Sequence, residues 1–161
     1  MHYKYSALYI TLIVAVNYAF SVVPLVKLPD GTMWPPVALA VGFVLVVRDF
    51  AQREIGHKVL LAMLVGVVIS YFMADPFVAT ASAAAFLVSE LVDWAIYSFT
   101  KRPLSQRILF SSLLGAPVDS AVFLGILGLF SPAGVAAMAV SKLLGAFLVW
   151  WIVRRRERSF V

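Results

Sequence analysis

The chain contains no cysteine. Disulfides and thiolate metal sites are therefore excluded, and nothing follows about redox compartment. Charge is scarce as well: 13% of its 161 residues are Asp, Glu, Lys or Arg, against 63% hydrophobic, with a mean hydropathy of +0.97. Soluble domains carry roughly 25% charged and about 45–50% apolar residues. No soluble fold of this length could bury so much apolar surface, so the solvent must be largely lipid. Catalytic and nucleotide-binding signatures are missing too. There is no GxxxxGK[ST] loop, GxSxG elbow, HExxH pair or TVGYG filter, and no ladder of arginines. The chain cannot by itself use ATP through a P-loop. Neither a hydrolase, a zinc enzyme, a potassium channel nor a voltage sensor is indicated.

What the sequence has instead is a series of long apolar stretches. A spanning helix needs about 20 mostly apolar residues. Six candidates run from about 5 to 26, 34 to 54, 58 to 73, 76 to 99, 108 to 130 and 133 to 153. Turn chemistry separates them: Pro29-Asp30-Gly31, Ile55-Gly56-His57, Asp75-Pro76, Lys101-Arg102-Pro103 and Ser131-Pro132-Ala133-Gly134. Connections this short make neighbouring helices antiparallel. The expectation is an all-α, polytopic membrane protein of six transmembrane helices in one bundle, a single domain over residues 1–161 with no internal repeat. The first apolar segment has no small-residue cleavage site and reads as a retained helix.

The formal net charge of +5 would hint at nucleic acid in a soluble protein. Here its placement points to topology. With both termini on one side, that side carries Lys4, Arg48, Arg53, Lys58, Lys101, Arg102, Arg107, Arg154, Arg155, Arg156 and Arg158. The other side has Lys27, and Lys142 lies within a helix. The positive-inside rule then puts both termini in the cytoplasm and the chain in the inner (cytoplasmic) membrane.

Four ionisable residues sit away from the helix ends: Glu90 and Asp93 in the fourth helix, Asp119 in the fifth, Lys142 in the sixth. Each costs about 2.5–3.5 kcal/mol on insertion scales, on the order of 10 kcal/mol together, unless it pairs or faces water. They are expected to share one depth and form a common polar core. Glu90 and Asp93, three apart, lie on one helix face, below the small residues Ala79, Ala81 and Ser82 to Ala85, which favour close packing. Three acids against one base leave an excess that invites a proton, a cation or a ligand rich in N–H donors. The alternatives stay open at this point: Asp93 solvated at the helix end, Lys142 snorkelling or bridging Asp119 structurally. Asp49 and Arg53, at i and i+4, read as a pair on a helix end that is either solvated or functional. Asn17 either meets a ligand or bonds a neighbouring helix. Trp34, Trp94, Trp150 and Trp151 read as interfacial anchors, with Trp94 the one placed to stack on a planar ligand. His2 and His57 are too far apart and too terminal for a metal site.

These motifs resemble the vitamin uptake transporter-like family, whose better-known members are queuosine precursor transporters. The resemblance rests on Asn17-Tyr18, on RDFAQREIG at Arg48 to Gly56, and on Ala79-Thr80-Ala81-Ser82 running to Glu90 and Asp93. It continues through Ser111 to Val118-Asp119-Ser120 with Phe123, and Ser141-Lys142. It covers about residues 8 to 155. The chain is short, with minimal loops, and has Glu90 where some members carry Gln. The resemblance implies a helix count similar to the S components of energy-coupling-factor transporters. It implies uptake of a 7-deazaguanine such as preQ0, preQ1 or queuine, by a protein that is not an enzyme and needs no cofactor or metal. The implied partners are that small molecule and the lipid bilayer, not nucleic acid; a homodimer or an energy-coupling partner is left open. The implied ligand-binding residues are Asn17, Glu90, Asp93, Trp94, Asp119, Phe123 and Lys142. One carboxylate would accept the parallel N–H donors of a guanine-like edge. Lys142 would donate to the ring carbonyl, and Phe20, Trp94 or Phe123 would stack on the ring. Another vitamin or nucleobase is the alternative cargo, and a substrate-binding membrane subunit the alternative role.

Overall fold

A computed structural model describes residues 3–99 and 104–158, with side chains described within them except at 93, 94, 97–99, 104, 105, 107, 108, 153, 154 and 156–158. Asp93 and Trp94 therefore keep a place on their helix, but their side chains lie outside the described residues. Six helices form: α1 (Lys4–Val22), α2 (Ala38–Ile55), α3 (Val59–Met73), α4 (Pro76–Phe99), α5 (Leu104–Ile126) and α6 (Pro132–Arg158). Between α1 and α2 lies a two-stranded antiparallel hairpin, β1 (Val26–Lys27) and β2 (Met33–Trp34), which the apolar pattern does not foreshadow.

The local chemistry explains the boundaries. Pro24 lacks an N–H and disfavours helix in the residue before it, so α1 stops at Val22 rather than continuing to 26. Pro35 and Pro36 hold Trp34 extended, so the second helix begins four residues later than the apolar run does. Within the hairpin, Gly31 takes φ +85, a conformation that costs glycine little. Its N–H bonds the Leu28 carbonyl at 2.9 Å. The Thr32 N–H donates to an Asp30 carboxylate oxygen at 2.9 Å, holding that exposed carboxyl below its ordinary value. Asp75 caps α4, accepting from the N–H groups of Phe77 (2.9 Å) and Val78 (3.0 Å), with Pro76 at the first helical position. Ser131 caps α6 the same way, accepting from the Gly134 N–H at 2.9 Å, with Pro132 following it. The start of α1 is capped from outside itself. Glu54, at the end of α2, accepts from the Ser6 N–H (2.9 Å) and the Ser6 hydroxyl (2.7 Å), a carboxylate where orphan donors and the helix dipole favour one.

That contact puts the start of α1 beside the end of α2, while the Asn17 amide of α1 donates to the Ser70 hydroxyl of α3 at 3.0 Å. Hence α1 is antiparallel to α2 and parallel to α3. Around the bundle the helices neighbour one another in the order α1, α2, α6, α5, α4, α3, and α3 returns to α1. All the turns that carry the hairpin, α3–α4 and α5–α6 connections lie at one end, the hairpin end; the α2–α3 turn and the start of α1 lie at the other, the terminal end.

The outside of the bundle is apolar. Leu61, Leu64, Phe72 and Leu144 are exposed, Phe72 by 82%, while Asn17, Arg48, Asp49, Glu90, Asp119 and Lys142 are buried. This inside-out arrangement suits a hydrocarbon solvent. By length and composition four described stretches can cross a membrane: Lys4–Val22, Ala38–Met73, Leu109–Ile126 and Pro132–Ile152; Pro76–Val92 is a shorter apolar helix. The 36-residue stretch does not run straight. Gly56, at φ +60, ends α2, and the Gly56–Lys58 turn sends the chain back as α3.

Candidate functional site

Among the described residues, charged side chains in the bundle interior do not gather at one depth. They form two layers. Ser82 and Glu90 are eight residues apart on α4, and Ser111 and Asp119 are eight apart on α5. At 1.5 Å per residue this sets the layers about 12 Å apart along the bundle.

The layer nearer the hairpin end is built on Asp119 of α5 and Lys142 of α6. The Lys142 ammonium donates to Asp119 Oδ2, and both residues are buried, exposed by 1% and 3%. A buried pair of this kind avoids the larger penalty of either charge alone. Lys142 is held in place by the helix crossing beside it. At Gly42 of α2 a Cβ would fall 2.2 Å from the Lys142 carbonyl oxygen, and at Gly145 a Cβ would fall 2.9 Å from the Leu39 carbonyl. Only a pair of glycines lets α2 and α6 approach so closely. Two residues before Asp119, Pro117 lies inside α5 and removes one backbone N–H from the helix ladder. The ion pair faces a small cavity of about 10 Å³, room for about one water molecule. Phe20, Val41, Ser82, Phe86, Phe123 and Met138 complete its walls. The rings of Phe20 and Phe123 meet at 4.8 Å between centroids, 46° between planes.

The layer nearer the terminal end centres on Arg48 of α2. Its Nε pairs with Glu90 Oε1 of α4 at 3.2 Å, and its Nη2 donates to Asp49 Oδ1 at 3.1 Å. The Ser111 hydroxyl of α5 donates to Asp49 Oδ2 at 3.4 Å. Tyr9 of α1 is fully buried within reach of these charges, and its hydroxyl finds no partner among the described residues.

Several sequence expectations change here. Glu90 and Asp119 do not share a depth. Glu90 is answered by Arg48 and Asp119 by Lys142, while the third acid, Asp93, has its side chain outside the described residues. Arg48 was placed among the basic residues flanking the membrane; it is 2% exposed and inside the bundle. Asp49, read on a helix end that is either solvated or functional, is 1% exposed, so the solvated reading does not hold. The signal was present in the sequence: Arg48-Asp49 follows the apolar run 37–47 with no turn residue between. Asn17 lies on the α1–α3 seam bonded to Ser70, and its Oδ1 has no partner among the described residues; it is not part of the cavity wall around Asp119. Trp34, expected as an interfacial anchor, donates its indole N–H to the Ser141 hydroxyl at 3.0 Å, tying the hairpin to α6 one residue before Lys142. Phe123 does reach the Asp119–Lys142 cavity, with Phe20. Ser82, Phe86 and Met138, which nothing in the residue pattern singled out as wall residues, reach it as well.

The family described as "Putative vitamin uptake transporter" matches residues 6–156. The chain belongs to this family. Nearly the whole length is covered, so the membership applies to the entire bundle, including both charged layers. No curated protein and no solved structure matches the chain. Membership in a vitamin uptake transporter family agrees with what the fold shows by itself. The protein is a helical membrane bundle with an apolar exterior and a polar, partly aromatic interior.

Proposed function

We propose that the chain imports a queuosine precursor, a 7-deazaguanine such as preQ0, preQ1 or queuine, across the cytoplasmic membrane. In this reading all six helices span the bilayer, both termini are cytoplasmic and the hairpin end faces outward. The carrying observation is the buried Asp119–Lys142 pair set in a wall of Phe20, Phe86 and Phe123. The lactam edge of a deazaguanine presents a carbonyl acceptor followed by two parallel N–H donors. An ammonium beside a carboxylate matches that order: Lys142 donates to the carbonyl and Asp119 accepts both N–H groups. The ligand replaces the contact the two side chains make with each other, and the rings supply apolar faces for a planar heterocycle. The cavity has room for about one water molecule, so loading requires the walls to part, as alternating access does. In this reading Glu90 lines the path toward the terminal end, Asn17 supports the α1 wall, and Asp93 and Trp94 are proposed as further ligand-binding residues from their place on the helix that carries Glu90.

Thermal unfolding of the purified chain with preQ1, preQ0, queuine, guanine and riboflavin tests the proposal. A ligand at 100-fold its Kd stabilises the folded state by about 2.7 kcal/mol. A rise with the deazaguanines that disappears in Asp119→Asn is the expected result. A rise with riboflavin alone would reassign the cargo to another vitamin, and none with any of the five would reject the site as drawn.

A further inference from the structure

A second cavity, of about 140 Å³, lies at the hairpin end of the bundle. It is larger than the one at the ion pair, and every side chain that lines it is apolar. Leu25 and Pro35 come from either side of the hairpin, Val78 from the first turn of α4, and Leu127 from just beyond α5. Its remaining walls include Phe20 and Phe123, the same two rings that line the cavity at Asp119 and Lys142. The two spaces thus lie on opposite sides of one aromatic pair.

We propose that the apolar cavity is an outward vestibule that first receives a planar, apolar-faced heterocycle, and that Phe20 and Phe123 are the movable partition between it and the Asp119–Lys142 chamber. This rests on the transport reading above and adds the route and the barrier to it.

The two halves of the partition are unequal. Both rings sit in the last turn of their helices, but Phe123 is 3% exposed on α5, while Phe20 is only half-buried on α1. That helix ends two residues later and leads through Pro24 into the hairpin. The less buried ring, with fewer packed neighbours to displace, is the one that can swing. Leu25 and Pro35 join the vestibule directly to both roots of the hairpin. The hairpin itself is pinned to α6 in two places, by the Trp34–Ser141 hydrogen bond and by Thr32 lying against the bare backbone of Gly134. The lining accounts for the order of events. An apolar vestibule takes the faces of a flat ring without stripping water from its polar edges. Those edges lose water only on meeting Asp119 and Lys142 beyond the partition, where each lost hydrogen bond is replaced.

Absence of cysteine makes the test direct, because any introduced thiol is unique. Ser82→Cys places a thiol in the inner chamber, and Leu127→Cys places one in the vestibule. Full-length protein in sealed vesicles is exposed to a charged, membrane-impermeant methanethiosulfonate from either face. From the hairpin face, Leu127→Cys should react at least tenfold faster than Ser82→Cys. Adding Phe20→Ala, or Phe123→Leu, should raise the Ser82→Cys rate by at least tenfold and leave that of Leu127→Cys unchanged. The unchanged Leu127→Cys rate also reports that the bundle is folded. Should Phe123→Leu fail that control, Phe20→Ala, on the free end of α1, carries the test alone. A Ser82→Cys rate equal to that of Leu127→Cys, or unmoved in a folded partition variant, overturns the proposal. No ligand enters this measurement. A failed partition would thus be distinguished from a failed deazaguanine assignment.

Discussion

Asp119 and Lys142 each pose a problem that the other solves. Replacing Asp119 with Asn, or Lys142 with Met, leaves one buried charge without its counter-ion, a loss of about 3–5 kcal/mol. The double replacement Asp119→Asn/Lys142→Met removes both charges and is expected to recover most of that loss. Melting temperatures in detergent check the stability, and the deazaguanine shift should be absent in all three variants. If the double variant regained ligand binding along with stability, the pair would be structural and nothing more. Arg48 answers two acids through different nitrogens, Nε to Glu90 and Nη2 to Asp49. A lysine keeps the charge but not the fork. Arg48→Lys is therefore expected to cost about 1–3 kcal/mol, read as a lower melting temperature at unchanged net charge. At this scale the sequence showed which residues were expensive and raised Lys142 bridging Asp119 as one alternative, without deciding which residues would meet. Asp119 and Lys142 are 23 positions apart, and Glu90 and Arg48 are 42 apart. Nothing local could decide either pairing, and for the terminal layer the nearer i, i+4 match of Asp49 with Arg53 was the more visible one.

Among the elements, the crossing of α2 and α6 matters most to the site. Gly42 sits against the Lys142 carbonyl so closely that any Cβ must push the helices apart. The expected cost of Gly42→Ala is about 1–3 kcal/mol from overpacking, accompanied by weaker ligand binding because Lys142 moves with its backbone. Gly66→Ala on α3 is the control. Its Cβ would press on the Ile13 side chain at 3.1 Å, away from the ion pair, so it should alter stability and spare ligand affinity relative to Gly42→Ala. Comparing ligand-induced shifts in the two variants decides between a positioning role and generic packing. Helix existence was readable from apolar length, and helix starts at Asp75-Pro76 and Ser131-Pro132 from cap chemistry. The hairpin was not, because Val26, Met33 and Trp34 are as apolar as the helices around them. Only the prolines at 24, 35 and 36 take those residues out of helix.

For the whole molecule, the proposed topology makes a simple labelling pattern. Pro29→Cys lies in the hairpin turn and His57→Cys in the α2–α3 turn, both exposed. In intact cells an impermeant thiol reagent should modify Pro29→Cys, and His57→Cys should react only after the membrane is opened. Equal reactivity of both in intact cells would remove the six-span arrangement with cytoplasmic termini. Moving Arg48 into the bundle leaves the positive-inside bias in the same direction, since ten basic residues remain in the segments assigned to the terminal end against Lys27 at the other.

Composition by itself determined the solvent, the helical class and the cost of each interior charge, because these depend on how many apolar residues follow one another and on nothing distant. Family membership was legible for the same reason: it rests on residues in order along the chain, matched over 6–156. Tertiary structure decided the rest. It split the charges into two layers, matched each acid to its base, and drew Trp34 down onto Ser141. It also set Phe20 against Phe123 between two cavities. Those outcomes depend on which helices become neighbours around the ring, and short-range pattern carries no information about contacts formed between residues dozens of positions apart.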